Sequence, residues 1–368
     1  MRVLGFMSGT SLDAVDMAVL ETDGEAIAAF GPAGERKLTD ATRALALQAT
    51  EEAKSWARGT PAPEVFAEAA RAVADEHFEA ADGFLRVNDL AWTDLDLIGF
   101  HGQTVLHERP TKERVGRTVQ LGDGQRLATR AGVPVAFDFR TADVAAGGEG
   151  APLAPIYHAA WAKAAGLAPP TAVLNIGGVA NITLLPRTGE LTAFDTGPGN
   201  GMIDLVVQAR GHGRFDEEGR LARAGRVDAD VLAGLMAHPY FAAPFPKSLD
   251  RFDFPLSAVD GLSLEDAAAT LVAFTVEAVA LAVEQLPETP NVLVITGGGR
   301  RNPAIVEALT RRLPVEVASA ERYGWRGDAV EAEAFAYLAA RTFRGLPISF
   351  PGTTGVKAPM TGGRVARP

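Results

Sequence analysis

Phe194-Asp195-Thr196-Gly197-Pro198-Gly199-Asn200 is the stretch around which this chain is organised. It follows an apolar, strand-like run and sets one carboxylate just before a turn built from two glycines and a proline, closed by an amide side chain. A carboxylate at a strand end can be held rigidly while backbone N–H groups of the adjoining Gly-rich turn meet an anionic ligand. Asp195 is therefore the candidate for chemistry. The alternative is that it caps its own turn, as Asp beside Gly does for local reasons. The first reading gains from repetition: similar strand-then-Gly segments stand near the N-terminus, at 175–181 and at 296–299.

At 368 residues the chain exceeds what one core serves comfortably, so two domains are expected. Hydrophobic residues at 47% and charged residues at 22% are ordinary for a globular protein. The formal net charge is −11 and no basic block carries interleaved aromatics, which argues against a nucleic-acid partner. Any anionic ligand must be met by local groups. The absence of cysteine excludes disulfides, thiolate metal sites and a Cys nucleophile, and is compatible with a reducing compartment. MRVLGFMSGT has too short an apolar run for a signal peptide. The longest apolar helix, around 271–283, is interrupted by Glu277 and falls short of a bilayer span. The expectation is a cytoplasmic protein with no membrane partner.

Residues 3–6 and 17–20 read as strands around the small-residue turn 7–11, a hairpin. No P-loop is present. Gly9, Thr10 and Ser11 still let N–H groups and hydroxyls approach phosphate oxygens, and Asp13 or Asp16 can reach Mg²⁺ directly or through water. Helical patterns cover 39–58 and 63–85. The strand 95–100 runs into His101-Gly102-Gln103, where His101 is either a base or a structural hydrogen-bonder; its spacing from His107 matches no common zinc site. Further strands at 118–121 and 133–137 deliver Asp138-Phe139-Arg140, then Asp143 and a Gly-rich loop at 146–153. This is the wall of a small-molecule site or an Asp–Arg pair bracing a loop.

A break at 166–170 precedes strands at 172–176, 180–185 and 191–194, with Gly177-Gly178 placed as 9–11 is placed in the opening hairpin. This weak internal repeat implies two related lobes facing each other across a cleft. Residues 244–248 with Arg251 read as a cationic loop near it, and Ser263 caps a helix running to Pro287. The strand 292–295 ends in Thr296-Gly297-Gly298-Gly299, and Asn302-Pro303 opens the next helix, an arrangement suited to a nucleotide. The last helix, about 328–345, carries Glu331, and the tail 351–368 reads as irregular.

Taken together, MSGTSLDAVD, HGQTVLHE, DFRTADVAAGGEGAPL, LNIGGVANIT, FDTGPGN, ITGGGRRNP and the Glu331 helix resemble the anhydro-N-acetylmuramic acid kinases, in order and over nearly the whole chain. The resemblance implies an α/β, two-lobed actin-like ATPase fold, a duplicated ribonuclease H-like design with a central inter-lobe cleft. The expected division is 1–135 and 136–368, with the final helix returning to the first lobe. The implied reaction is ATP-dependent: water opens the 1,6-anhydro ring of 1,6-anhydro-N-acetylmuramic acid while O6 takes the γ-phosphoryl group, in peptidoglycan recycling.

By matching motif, Asp195 is the general base. The nucleotide falls to Gly9, Thr10, Ser11, Leu12, Asp13, Ala14, Val15, Asp16, Gly177, Gly178, Asn181, Gly297 and Gly298, with Asp13 reaching Mg²⁺ through water. The sugar falls to Gln103, Asp138, Arg140, Gly148, Asn200 and Glu331. The resemblance also suggests a homodimer. Departures are Ala14 for a glycine, Thr141 and Ala142 for arginines, and Leu249-Asp250 for Thr-Gly. If those arginines hold the lactyl carboxylate, another 1,6-anhydrosugar such as levoglucosan becomes the alternative substrate.

Overall fold

The computed structural model describes residues 1–9, 12–111, 113–249 and 253–368. Thr10, Ser11 and the loop residues Asp250 and Arg251, all singled out above, lie outside the described residues. The chain divides into two units, Met1–Ala164 with Ala329–Pro368, and Ala165–Asp328. The expected boundary at 135/136 is thereby corrected. Residue 135 opens a strand hydrogen-bonded within the first sheet, and the whole C-terminal segment belongs to the first unit.

In the first unit β1 (Arg2–Met7), β2 (Ala14–Thr22) and β3 (Ile27–Lys37) run antiparallel to one another in turn. The helices α1 (Asp40–Ser55) and α2 (Glu64–Val87) follow. Next come β4 (Leu97–Phe100), the hairpin β5 (Gln103–Glu108) and β6 (Arg117–Leu121), α3 (Gly124–Ala131), β7 (Val135–Phe137), α4 (Thr141–Ala145) and α5 (Pro155–Ala164). β4 is parallel to β1, and β7 to β4. Alternation along β1 decides its two faces: Leu4 and Phe6 join Val73, Phe84 and Leu85 of α2 in one core.

In the second unit β8 (Thr171–Ile176), β9 (Val179–Leu185) and β10 (Thr192–Pro198) again run antiparallel in turn. They are followed by α6 (Gly201–Ala209), α7 (Arg220–Ala224), α8 (Ala229–Met236) and α9 (Leu264–Gln285). Then come β11 (Val292–Thr296), α10 (Pro303–Arg312) and β12 (Glu316–Ser319), with β11 parallel to both β8 and β12. Ser263 caps α9 by accepting from the amide of Asp266 at 3.1 Å. α9 has the bounds read from the sequence, and, against the expectation that it falls short of a bilayer span, its 22 residues meet the length and hydropathy of one. Its apolar sides are spent on the core instead, with 78% of that window buried.

The chain then returns to the first unit as α11 (Val330–Phe343), α12 (Pro351–Thr354) and β13 (Arg364–Ala366), an antiparallel neighbour of β7. The tail expected to be irregular thus ends in a strand. α11 lies against β1, β2 and β4. Gly5 and Gly99 are register partners on β1 and β4. A Cβ on Gly5 would stand 1.9 Å from Ala332 O, and one on Gly99 2.3 Å from Phe335 O, so only bare backbone admits the helix.

The two larger sheets have the orders β13-β7-β4-β1-β2-β3 and β10-β9-β8-β11-β12, and β5 and β6 pair as a separate two-stranded sheet. Without β13 both larger sheets have the same topology: an antiparallel meander of three strands, continued beyond its first strand by two parallel ones. This is the duplicated ribonuclease H-like α/β design of the actin-like ATPases. The weak repeat of hairpins seen in sequence is the start of each copy.

Candidate functional site

β10 does not stop at Asp195. It continues to Pro198 with a bulge between Asp195 and Gly197, so the turn expected after the carboxylate is strand, and the chain turns only where α6 begins. Register places Asp195 opposite Asn181, Asn181 opposite Asn175, and Asn175 opposite Thr296. Directly opposed residues share a face of a sheet, so these four form one polar row across β10, β9, β8 and β11. Asn175 and Thr296 stand at the carboxyl ends of their strands, the side on which open α/β sheets bind ligands.

A loop that carries little sequence signal holds Asp195. Its N–H donates to Lys247 O at 3.0 Å, its carbonyl accepts from the Tyr240 hydroxyl at 2.5 Å, and its Oδ2 accepts from the Leu249 amide at 2.7 Å. Phe245 stacks on Phe194 at 4.9 Å between ring centres. The sequence places Lys247 in a cationic loop near the cleft. It is buried, donating to Tyr240 O (3.2 Å), Phe241 O (3.4 Å) and Gln285 Oε1 (3.4 Å), and burial pulls its ammonium pKa down. Apolar packing required the alkyl stem inside, and the carbonyls around the tip satisfy the ammonium.

Beside Asp195 the glycine segments meet. Asn200 N donates to Gly177 O at 2.8 Å and Gly199 N to Gly178 O at 3.0 Å. A Cβ on Gly199 would lie 2.1 Å from Gly177 O. Gly297, at φ +77°, would place one 2.4 Å from Asn175 Oδ1, and a Cβ on Gly299 would touch Ile176 at 2.3 Å. Gly178 and Gly298 face open space. The structure therefore brings Gly177, Gly178, Asn181, Asp195, Asn200, Gly297 and Gly298 together in the second unit. Asn302 caps α10 by accepting from Ala304 N at 3.0 Å, leaving the glycines between strand and helix as a cradle of backbone.

In the first unit Arg140 is the centre. Its Nε and Nη2 donate to His101 Nε2 at 3.3 and 3.2 Å, and its Nη1 to Gly150 O at 2.7 Å. Burial pulls this guanidinium down to about 10, while Glu331 and Asp143 oppose the fall. His101 is buried and held well below the usual imidazole range, by burial first and Arg140 second. A guanidinium cannot accept, so His101 Nε2 is its acceptor and the ring is neutral. That removes His101 as the base and makes it the rest on which Arg140 lies. Asp143, also buried, accepts from Gly150 N at 2.6 Å and from Thr354 Oγ1 at 2.6 Å, fixing the loop whose carbonyl Arg140 holds.

Gly148 belongs to the same loop, but as a close contact: its Cβ would fall 2.3 Å from Asp143 Oδ1. Glu331, in the first turn of α11, keeps solvent contact; the protein around it pushes its carboxyl up and Arg140 pulls it back. Asp138 does not pair with Arg140. At φ +59° it accepts from Thr141 Oγ1 at 2.5 Å and from Arg364 Nε at 3.0 Å, so the brace exists with a different arginine, brought by β13. Gln103 donates from Nε2 to Gly9 O at 3.1 Å, tying β5 to the first hairpin turn. After that turn the side chains of Leu12 and Val15 are buried, which leaves them only backbone to offer a ligand. Asp13 is exposed, and Ala14 and Asp16 are half-buried. Among the described residues no cluster of three or more His or acidic groups is arranged for a metal.

For His101 and Asp143, where the sequence left chemistry and structural support as alternatives, the structure shows support. Tyr240, Leu249 and Thr354 are supports that sequence reading did not single out, because their contacts to Asp195 and Asp143 span 45, 54 and 211 positions of chain.

The family model described as anhydro-N-acetylmuramic acid kinase matches residues 1–367. The chain belongs to this family. A relative from Caulobacter vibrioides with that name is 71% identical over 365 residues, 99% of this chain and 98% of its own length. Another of the same name from Phenylobacterium zucineum is 66% identical over 368 residues, covering 100% of both. Among solved structures, a ligand-bound xylulose kinase from Lactobacillus acidophilus aligns over 100% of this chain and 94% of its own at 10% identity, with a TM-score of 0.45.

Proposed function

We propose that the protein is a kinase converting 1,6-anhydro-N-acetylmuramic acid, ATP and water into N-acetylmuramic acid 6-phosphate and ADP, with Asp195 as general base. The observation that carries this is the holding of Asp195: its N–H, carbonyl and Oδ2 are each fixed by the 240–249 loop, at the end of a polar row and beside an open glycine cradle. A carboxylate so fixed accepts the proton of a water attacking C1 as the C1–O6 bond breaks, and the departing O6 takes the γ-phosphoryl group.

For the nucleotide we assign the backbone of Gly177, Gly178, Gly297 and Gly298, with Asn181, together with the first hairpin turn from Gly9 to Asp16. The open N–H groups of such turns suit phosphate oxygens. Mg²⁺ would supply charge neutralisation at the phosphates. The exposed carboxylate of Asp13 and the half-buried one of Asp16 are hard oxygen donors, and a nucleotide-borne Mg²⁺ needs only one or two such groups because it keeps several waters. For the sugar we assign Gln103, Asp138, Arg140, Asn200 and Glu331, with Gly148 shaping the loop. Arg140, still charged at neutral pH, suits an anionic group on the sugar. Dependence on ATP fits a cytoplasmic enzyme, and family membership a homodimer, which sedimentation would measure.

The deciding experiment is turnover in ¹⁸O water. Label at C1 with phosphate on O6 is the expected result, and phosphate without label at C1 would overturn the proposed attack. Parallel ADP-release assays with levoglucosan test the sugar: strong turnover of it and none of the muramic sugar would reassign the substrate.

A further inference from the structure

One turn into α6 an acid grips Asn200. Asn200 Nδ2 donates to Asp204 Oδ2 at 2.6 Å, while Asp204 N donates to Asn200 O at 3.0 Å. An ionised carboxylate only accepts, so the amide must turn its nitrogen toward Asp204 and its oxygen away. That oxygen, Asn200 Oδ1, is buried and has no hydrogen-bond partner among the described residues. Buried acceptors are nearly always satisfied, so one left unmet calls for a donor from a ligand.

We propose that Asp204 is a positioning residue for the reaction: it locks the Asn200 amide so that Oδ1 is presented as an acceptor to an O–H or N–H donor on the bound sugar. The inference rests on the assignment of Asn200 to the sugar made above. It adds a direction to that contact: the ligand must donate there, as a hydroxyl or an acetamido N–H does and an ether or carboxylate does not.

The surroundings of Asp204 make this lock sensitive to pH. The charge that bears on it is Asp216, itself buried and engaged by the amides of Leu221 (2.8 Å) and Ala222 (3.1 Å). α9, packed along α6, contributes Thr275, whose hydroxyl donates to Gly199 O, and the segment Leu256–Val259 brings no charge. Arg210, the cation at the far end of α6, is turned to the carbonyls of Leu262 and Val259. Burial first, and Asp216 in the same direction, push the Asp204 carboxyl up to about 6 against the pull of Asn200. Once protonated, Asp204 can donate as well as accept, and Asn200 is no longer held one way round.

The test is steady-state kinetics of the full-length enzyme between pH 5 and 8 for wild type, Asp204→Asn, Asn200→Ala and the double variant, with thermal melts. Asp204→Asn should raise the KM for sugar about tenfold, change the KM for ATP little, and abolish an acid-side inflection of kcat/KM near pH 6. In the Asn200→Ala background it should add nothing. Asp204→Glu keeps an acceptor-only group, so it should keep the inflection and serves if Asp204→Asn does not fold. An unchanged pH profile in Asp204→Asn, or an effect of the same size without Asn200, overturns the proposal. If Asn200→Ala moves the KM for ATP and not that for sugar, the sugar assignment fails, while loss of the Asp204 effect in the double variant would still support the lock.

Discussion

The backbone amide of Leu249 donates to Oδ2 of Asp195 at 2.7 Å, across 54 positions of chain. The donor is main chain, so it does not depend on which side chain stands at position 249. Asp195→Asn keeps an oxygen for that amide and removes only the capacity to take a proton. Turnover should fall by about 10²–10⁴ with the melting temperature unchanged. Measured ADP release within tenfold of wild type would exclude Asp195 as the base.

Lys247 braces the same loop from inside through Tyr240 O, Phe241 O and Gln285 Oε1. Lys247→Met retains the stem and leaves those acceptors without the ammonium, so the loop loosens around Asp195. We expect kcat to fall about tenfold, with a melting temperature lower by several degrees, since a buried unsatisfied group costs about 1–3 kcal/mol. Tyr240→Phe, which removes the hydroxyl from Asp195 O, should show a smaller fall of the same kind. Calorimetric ATP affinity is the control and should stay level in both.

Arg140 is held by its fork: two nitrogens on His101 and one on Gly150 O. Lysine carries the charge without the fork, so Arg140→Lys should raise the KM for the sugar about 10–100-fold while its kcat changes less. A KM within twofold of wild type would show that Arg140 serves the loop alone.

The two sheets were legible because hydrophobic runs, turns and their repetition are local signals. β3 escaped notice: Gly31, Pro32 and Gly34 break its pattern, and as an exposed edge strand it has little apolar alternation to show. β13 escaped because the strand it pairs with, β7, is more than two hundred positions away. At the site Asp195 and the glycine turns could be read from short motifs. The lysine read as part of a cationic loop and the histidine left open between base and hydrogen-bonder take their roles from burial and, for the histidine, from a partner 39 positions away, which no local pattern encodes.

Gly5 and Gly99 read as ordinary apolar strand positions, yet they make room for α11. Gly99→Ala would set a methyl 2.3 Å from Phe335 O, backbone that cannot swing aside. Overpacking of this kind costs about 1–3 kcal/mol or more. The variant should melt markedly lower or fail to accumulate in soluble form, whereas Gly132→Ala, with no atom near its Cβ but a positive φ, should lose only a modest amount.

Acid should weaken the first unit through its buried histidines. Burial holds His77 at about 4 and His158 at about 3, below the ordinary 6.5. Between pH 6.5 and 4 the unfolded chain therefore binds protons that the folded chain refuses, and stability falls as pH falls through that window. For His77 the ceiling is on the order of 3 kcal/mol. Asp204 has the opposite sign: its raised carboxyl binds a proton in the folded state first, adding stability in the second unit as pH drops from about 6 toward 3.8. His77 sits edge-on to Phe6 and Phe100, with Nδ1 bonded to Val73 O and Nε2 unpaired among the described residues. Phenylalanine can take its space and carries no titration. Denaturant unfolding of His77→Phe at pH 7 and pH 5 should show a smaller acid loss than wild type; an equal loss in both would assign the acid sensitivity to other groups.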